Sequence, residues 1–588
     1  MTDGVSGPPD DDQRGEEDSS PWARAVALAT RARKLCTDRR LRRYTLLAFI
    51  LLVLASYKLT FTSHIFDTHP DGGYYTDIAR HIRDGDGLVT NLCLLHKGCT
   101  TFPVPADIYP LWPLVYGLAA KVSPLGLLGT GKWLATVLYF VALVLGYAWA
   151  TTLFPRPLLP GVLPSFDAGH LFVLMLGLNK EFFAYTTFPY TEALAFTVVL
   201  AALWRGAKLW PNPSWRSGLE LGVWLGLAFL ARKQMLVLAM AAAPMLVGAI
   251  VVLREHRRRY ATMAACTAVA FGVVVAPHVI HLSRVVPNFG FTQVLRWDQT
   301  RFSDVLAPVP IIQEVDGLWP YLVDRAQGFE VAFALEGKTS YVDHYYLFQY
   351  GLVLALPLLI VIAVRQARPT SIRQAWAWIA RPDSLHALWS LTFAIGAFLA
   401  LHTMHMEPLA ASEWVFGGRW ALPCVFLFFG AFVLLLRRPS GPWRAAATIL
   451  ISASIYLGVT TVKAETERVE GRKDRGPSAL AQWLNRRQAQ RGKLIVAYRR
   501  PQVIMIDTPE VGYHWYHNNT SLRDVERMVT HLGADYLVAP RGRFGFERDR
   551  RAFNASFRLV KKIGRTRIYE PTSALLEQRV APSRGATP

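Results

Sequence analysis

The residues best suited to acid–base chemistry are concentrated in one stretch, Phe66–Leu88, which reads FDTHPDGGYYTDIARHIRDGDGL. Tyr74, Ile78 and Ile82 recur every four residues and predict one apolar face of a helix. Asp71 lies just before this predicted helix. A carboxylate there can take a proton from an acceptor hydroxyl group, or it can simply N-cap the helix. The residue chemistry alone favours neither role.

Further acidic groups flank the predicted helix. Asp67 is a candidate second carboxylate for substrate binding. Asp84 and Asp86 have the D-x-D spacing that chelates a metal in enzymes acting on nucleotide sugars, but DGDG directly after a helix is typical of a turn. We therefore assign no metal ligands and no certain cofactor, and the need for a divalent metal stays open.

Three basic residues, Arg232, Lys233 and Arg419, are candidates for binding a phosphate group. An arginine offers a planar fork of N–H donors that matches phosphate oxygens. All three are predicted at the ends of apolar helices, where a charged side chain can instead extend toward the lipid headgroups. Glu192 opens another predicted helix and is a candidate for binding sugar hydroxyls or orienting a basic partner. Burial against a structural arginine is the alternative.

Composition indicates what kind of scaffold must position these side chains. Hydrophobic residues make up 52% of the 588 residues and charged residues only 18%, whereas soluble domains carry about 25% charged residues. The net charge of +21 by itself suggests a nucleic-acid partner. However, much of the basic excess lies in short clusters between apolar runs, which is how a multi-pass membrane protein fixes its orientation. We therefore expect an integral membrane protein with no nucleic-acid partner.

About 11 apolar runs are long enough to cross the roughly 30 Å of hydrocarbon in a bilayer. The loops that this count places in the cytoplasm at 205–216, 254–259, 365–381 and 437–444 are all basic, as expected for cytoplasmic loops. The predicted spans are 44–61, 132–152, 168–186, 191–207, 217–232, 234–253, 260–281, 346–364, 385–402, 420–436 and 444–462.

The remaining segments define the predicted domains. Residues 1–43 form a cytoplasmic tail, first acidic and disordered, then basic. The membrane module, 44–462, carries two large outer loops at 62–131 and 282–345. Residues 463–588 contain both helix and strand patterns and are predicted to form a small extracytoplasmic α/β domain. The chain is thus a polytopic α-helical protein of the cell membrane, with its N-terminus in the cytoplasm.

Cys93 and Cys99 flank a short loop in the first outer segment. A disulfide between them is reasonable in an oxidising compartment, and two free thiols are equally consistent with the spacing.

The order of motifs along the chain resembles that of the GT-C glycosyltransferases, which include protein O-mannosyltransferases and lipid A aminoarabinose transferases. In the first outer loop, an acidic residue is followed by a tyrosine, an Ile-Ala-Arg helix and Gly-x-Gly. The resemblance continues in YPLWPLVYGLAAKV (Tyr109–Val122), PYTEALAF (Pro189–Phe196), FLARKQ (Phe229–Gln234) and GGRWALP (Gly417–Pro423). It covers about 460 residues in order and topology.

This resemblance implies a polyprenyl-phosphate-linked sugar as donor, inversion at the anomeric carbon, and Asp71 as general base. The implied substrate-binding residues are Asp67, Tyr74, Glu192, Arg232, Lys233 and Arg419. The family often has Asp-Glu where this chain has Asp71-Gly72, which removes a second carboxylate and puts a metal-assisted variant in doubt.

The expected function is therefore a membrane glycosyltransferase. It would move a hexose or pentose from a polyprenyl-phosphate carrier to a hydroxyl of a glycan, lipid or protein on the outer face of the membrane. A glycan- or lipid-binding scaffold without turnover is the first alternative, and a flippase or transporter of lipid-linked sugars is the second. Transporters often contain inverted repeats, whereas no internal repeat is evident in this sequence.

Overall fold

The computed structural model describes residues 39–65, 70–94, 99–159, 163–232, 235–285, 441–470, 478–498, 504–516, 521–540 and 550–580, with residue 501 and parts of 425–436. The predicted spans 346–364 and 385–402, the outer loop 286–345, and three of the candidate site residues lie outside this part of the chain. Those residues are Asp67, Lys233 and Arg419.

The N-terminal part of the protein is a bundle of helices with two additional helices in the first outer loop. The bundle helices are α1 (Arg39–Ser63), α4 (Gly126–Leu153), α5 (Ala168–Gly177), α6 (Lys180–Tyr185), α7 (Thr191–Leu209), α8 (Trp215–Ala231), α9 (Leu236–Val252), α10 (Arg257–Val285) and α11 (Gly441–Val469). The loop helices are α2 (Pro70–Asp84) and α3 (Leu111–Val122), with the short strands β1 (Val89–Thr90), β2 (Leu92–Leu94) and β3 (Val104–Pro105) between them.

Three helical segments of the described chain are long and apolar enough to cross a membrane, namely Arg40–Ser63, Gly126–Leu153 and Arg254–Val285. The total of about 11 spans therefore stays a prediction. The prediction of one continuous helix over 168–186 is wrong, because this segment is divided into α5 and α6. The Asn179 side chain accepts a hydrogen bond from Phe182 N at 3.0 Å, and this N-cap starts a new helix where the sequence analysis expects a continuous one.

Side-chain contacts establish that the helices alternate in direction. Lys132, near the start of α4, donates to Ile65 O at 2.5 Å, just beyond the end of α1. His170, at the start of α5, instead lies with its Nε2 atom 2.9 Å from Arg43 O near the start of α1. The Tyr260 hydroxyl at the start of α10 donates to Trp210 O after α7 at 2.8 Å. The loop helices and the C-terminal ends of α1, α8 and α10 consequently lie at one end of the bundle, which the charge pattern predicts to be the outer end.

Three glycines allow α8 and α10 to pack closely. A Cβ atom at Gly218 or Gly222 would overlap the backbone of Met263 or Thr267, and one at Gly226 would overlap Val274. Small residues at this four-residue spacing let two membrane helices approach at backbone distance. The C-terminal ends of α8 and α10 are thereby fixed next to each other.

The C-terminal part is a mixed sheet with helices packed on both faces. Its strands are β4 (Leu494–Tyr498), β5 (Val511–Trp515), β6 (Tyr536–Pro540), β7 (Phe557–Ile563) and β8 (Thr566–Pro571), and its helices are α12 (Ala479–Arg491), α13 (Leu522–Thr530), α14 (Arg550–Ser556) and α15 (Ser573–Val580). The strand order is β2-β5-β4-β6-β8-β7. The helix and strand patterns in this region correspond to observed elements, but the sheet is not confined to 463–588.

The additional strand comes from the first outer loop. β2 pairs in parallel with β5, in a register that sets Leu92 against Tyr513. Cys93, in the middle of β2, forms a disulfide with Cys99. The Asn91 side chain donates to Pro509 O at 2.6 Å. The loop and the C-terminal region therefore form one structural unit, which the sequence analysis treated as two.

The helix α2 is attached to the same unit through a buried ion pair. Asp77 pairs with Arg80 and accepts hydrogen bonds from Thr90 Oγ1 at 2.8 Å and Asn91 N at 2.7 Å. Arg80 Nη1 lies 3.4 Å from Met505 O in the C-terminal region. Because a buried carboxylate with several donors is rigidly held, α2 has a fixed position relative to the sheet.

Candidate active site

Asp71 lies in the first turn of α2 and is partly exposed. The sequence analysis placed it just before the helix, but the helix already begins at Pro70, a residue well suited to the first helical position. Its carboxylate is therefore near the helix N-terminus, where the macrodipole favours negative charge.

The turn DGDG follows the same helix. There Asp84 pairs with Arg83 at 2.7 Å and Asp86 with His81 at 2.8 Å, with Gly85 and Gly87 at positive φ.

Tyr74, one turn after Asp71, is half-buried and packs against apolar side chains of the C-terminal sheet. Its ring centroid lies 6.2 Å from that of Tyr75. Burial, together with the carboxylate of Asp107, raises the pKa of both Tyr74 and Tyr109. Both phenols therefore stay protonated at neutral pH and can act as hydrogen-bond donors to a substrate.

The helix α3 connects α2 to the membrane helices. Gly117 approaches α2 so closely that a Cβ atom would overlap Ile82. Trp112, fully buried, donates from its indole nitrogen to Pro189 O at 2.9 Å, three residues before Glu192. α3 also contacts α8. The loop helix that carries Asp71 is thus connected through α3 to the starting end of α7 and the final turns of α8.

Glu192 and Arg232 form a buried ion pair at this outer end. Glu192 is in the first turn of α7, and Arg232 directly follows α8. Their atoms Oε1 and Nη1 are 2.7 Å apart, and the side chains are 1% and 10% exposed. From the sequence, Glu192 is expected either to orient a basic partner or to be buried against a structural arginine. In the structure, Arg232 is the partner of Glu192. This contact is consistent both with Glu192 orienting a basic partner and with its burial against a structural arginine.

Aromatic and histidine side chains complete this end of the bundle. Tyr109 contacts Phe229 and His278, with ring centroids 5.6 and 5.2 Å apart. His281, one turn further along α10, has its Nε2 atom 2.9 Å from Ala106 O. The loop segment before α3 is therefore held against the ends of α8 and α10.

No protein-family model matches the sequence, and no curated protein sequence matches it. Solved structures do match. The oligosaccharyltransferase of Archaeoglobus fulgidus in its apo form superposes with a TM-score of 0.51 at 11% identity, over 85% of this chain and 69% of that one. ArnT from Cupriavidus metallidurans bound to undecaprenyl phosphate gives a TM-score of 0.50 at 13% identity, over 90% and 98% of the two chains.

Both of these proteins are GT-C glycosyltransferases. The chain has a GT-C fold. The resemblance seen in the sequence motifs is thereby confirmed at the level of the fold. An identity of 11–13% carries no residue assignment, so the roles of individual side chains in this GT-C protein depend on its own geometry.

The structure adds residues to this end of the bundle that the sequence analysis missed. Asp107 precedes the Pro-rich stretch that begins at Tyr109. An acidic side chain so close to this motif is a sequence feature that indicates a candidate site residue. His278 lies inside an apolar run, where a single histidine gives no pattern. Among the described residues, no group of three His, Cys, Asp or Glu side chains is arranged to hold a metal.

Proposed function

We propose that this GT-C protein is a membrane glycosyltransferase that moves a sugar from a polyprenyl-phosphate carrier to a hydroxyl of a cell-envelope glycan, lipid or protein. The observation that carries the proposal is that Asp71, Tyr74 and the Glu192–Arg232 pair all lie at the same end of a GT-C helix bundle. A base, a phosphate-binding cation and hydrogen-bond donors are the groups that such a transfer needs.

In this mechanism, Asp71 takes the proton from the acceptor hydroxyl as its oxygen attacks the anomeric carbon. The bond between that carbon and the phosphate oxygen breaks, and the configuration at the carbon inverts. Arg232 binds the departing lipid phosphate. An arginine has five N–H donors, so a guanidinium oriented by Glu192 can still bind phosphate oxygens. Lys233 and Arg419 would add positive charge, Asp67 would bind substrate, and Tyr74 would donate a hydrogen bond to it.

The proposed reaction takes place on the outer face of the membrane, with the C-terminal sheet next to the acceptor. This orientation rests on the basic loops at the opposite end of the bundle. It is supported by the position of α2, which lies between the helix ends and the sheet that includes β2.

The experiment is a donor-consumption assay on the full chain in nanodiscs, with polyprenyl-phosphate sugars and the host's membrane glycolipids as acceptors. We expect turnover by the wild type and a loss of about 10²–10⁴-fold in Asp71→Asn, the range typical of removing a general base. Asp84→Asn is the matched control, because that carboxylate lies on the same helix, pairs with Arg83 and is partly exposed. It should keep nearly full activity.

Each contrary result has a distinct meaning. Turnover by both wild type and Asp71→Asn would keep the transferase and remove Asp71 as the base. Tight binding of the donor by the wild type without turnover, in the presence of acceptor, would indicate the non-catalytic scaffold. Movement of the intact lipid-linked sugar between leaflets without transfer would indicate a flippase.

A further inference from the structure

Lys58, in the outer half of α1, is a fully buried lysine in the helix bundle. Its ammonium group donates to Phe183 O, to Thr186 Oγ1 at 3.0 Å and to Thr187 Oγ1 at 2.6 Å. It also lies over the rings of Tyr139 and Phe183, 4.8 and 4.9 Å from their centroids. Its three N–H donors are all used, and no ion pair with a carboxylate is among its contacts in the described chain.

A lysine inside a membrane bundle is costly and has a functional role by default. Most lysines near helix ends extend their ammonium to the headgroup region, but Lys58 is 0% exposed. Among the described residues, its side-chain nitrogen contacts a helix C-terminus, two hydroxyls and two aromatic rings. Each of these is a favourable partner for a cation, and the carbonyl and both hydroxyls belong to the segment that follows the break in the third predicted span.

That segment leads directly to the proposed site. α6 is only six residues long, and its last carbonyl groups have no partner within the helix. Lys58 supplies a donor to one of them and binds the next two threonines. Tyr139 holds the other side of the break, donating its hydroxyl to Gly177 O at 2.8 Å. Without Lys58, the turn between α6 and α7 would lose its anchor to α1.

The other end of the same turn is also fixed. Trp112 donates to Pro189 O, and Glu192 follows in the first turn of α7, where it pairs with Arg232 at 2.7 Å. Residues 186–192 therefore extend between two anchors, Lys58 on α1 and Trp112 on α3, and end at the ion pair. A shift of about 1 Å in a positioned group can change a rate by about 100-fold.

We propose that Lys58 is a positioning residue, which fixes the turn between α6 and α7 and through it the orientation of the Glu192–Arg232 pair toward the substrate phosphate. The inference rests on the proposed function for its catalytic meaning. Lys58 contacts this turn and the end of α6 rather than the ion pair itself.

The first measurement is hydrogen exchange by mass spectrometry on the full chain in nanodiscs, which does not depend on activity. In Lys58→Met, amides of residues 186–192 should exchange roughly 10-fold faster, because the turn loses two hydrogen bonds and the end of α6 loses a third. Lys132→Met is the matched control, since that lysine joins α4 to the end of α1 at Ile65 O. It should leave exchange in 186–192 unchanged.

The second measurement is a double-mutant cycle on transfer. Lys58→Met should lower kcat about 30-fold with KM for the polyprenyl-phosphate sugar changed by less than about threefold. In a Glu192→Gln background the same change should cost less than about threefold, because the pair it positions is already broken. Thr187→Val, which removes one acceptor of Lys58, should act in the same direction by a few-fold.

The outcomes separate the two proposals. Unchanged exchange at 186–192 in Lys58→Met, or equal losses of kcat in both backgrounds, would overturn the positioning role while leaving the transferase intact. Absence of transfer by the wild type, whatever the exchange result, would overturn the proposed function and with it the catalytic meaning of Lys58.

Discussion

The two ends of the helix bundle each hold an arginine paired with a buried carboxylate, and a buried histidine, but the histidines differ in their hydrogen bonds. At the end where α1 begins, Arg43 Nη2 pairs with Asp167 at 2.5 Å. His170 there has one ring nitrogen 2.8 Å from Asp167 Oδ1 and the other 2.9 Å from Arg43 O. At the opposite end, His278 is equally enclosed, at 4% exposed, yet neither ring nitrogen has a hydrogen-bond partner in the described chain.

This contrast separates a structural cluster from a candidate site. Asp167 also N-caps α5 by accepting from His170 N at 3.2 Å, so the first cluster connects two helix ends. Unsatisfied buried polar groups are uncommon in folded proteins and call for an explanation. They lower stability and are retained where function requires them. The Glu192–Arg232 end therefore has the features of a site, and the Arg43–Asp167 end those of a joint between helices.

The largest effect is expected at the joint. Asp167→Ala removes the carboxylate from Arg43 and the cap from α5, so we expect the free energy of unfolding to fall by about 3 kcal/mol. Thermal unfolding in detergent measures it. Asp84→Ala, at a partly exposed pair, should cost less than about 1 kcal/mol. Equal losses in the two variants would contradict the assignment of the joint.

Replacing both residues of each arginine–carboxylate pair should distinguish the two ends of the bundle by their effect on stability. Glu192→Leu with Arg232→Met removes both charges from the buried pair, and stability should stay within about 1 kcal/mol of the wild type while transfer is lost. Asp167→Leu with Arg43→Met should remain destabilised by about 1–2 kcal/mol, because the cap of α5 is still missing. Recovery of stability at both ends would mean that the two pairs are equivalent.

The two buried histidines provide a matched pair of substitutions with opposite expected signs. His170→Phe removes the ring partner of Arg43 O and one of the partners of Asp167, and should cost about 2 kcal/mol. His278→Phe removes two unsatisfied nitrogens, so stability should be unchanged or rise by up to about 1 kcal/mol. Unfolding of each variant by heat is the measurement. A clear loss of stability in His278→Phe would show that its nitrogens have structural partners.

A third buried histidine, His514 in β5, is intermediate between His170 and His278 in the number of its ring nitrogens that have partners. It should give the smallest change in stability. Its Nε2 atom lies 3.2 Å from Leu532 O, while Nδ1 has no partner in the described residues. Burial lowers the pKa of His514, and the hydrogen bond to Leu532 only partly opposes this. The unfolded chain, with a histidine pKa near about 6.5, therefore binds a proton more readily than the folded sheet does.

Stability of the sheet should consequently be highest at neutral pH and fall as the pH drops through about 6.5, the pKa of a histidine in the unfolded chain. Proteolysis of the C-terminal region across this pH range measures it. His531→Ala is the control for loss of a histidine from the same region, because His531 is exposed. Stability that rises toward acid would contradict a buried neutral His514.

The sequence was sufficient for features that depend on local pattern. Apolar runs of helical length predicted most of the helices of the described bundle, and the DGDG turn with Gly85 and Gly87 predicted the end of α2. The spacing of Gly218, Gly222 and Gly226 was an available signal for the packing of α8 on α10. Gly177 and Asn179 are also residue types that commonly end one helix and cap the next. The long apolar run around them nevertheless favours a single continuous span.

Features that depend on distant partners could not be predicted in this way. Arg80 meets Met505 across 425 residues, and nothing near either residue encodes the contact. Glu192 and Arg232 were each identified from charge at a helix end, but their pairing depends on how α7 packs against α8. Lys58 and His278 lie in apolar segments, and their importance is visible only from what surrounds them.

The pairing of β2 with β5 has a consequence for biosynthesis. Asn91 and Pro509 are 418 residues apart, so at about 5–20 residues per second the ribosome needs roughly 20–80 s to make the partner after β2 has emerged. During that interval β2 is a strand with an unpaired edge, a state prone to wrong pairing. The Cys93–Cys99 disulfide closes entirely within the early segment. It can therefore form before β5 has been synthesised, and it restricts the conformations of β2 during that interval.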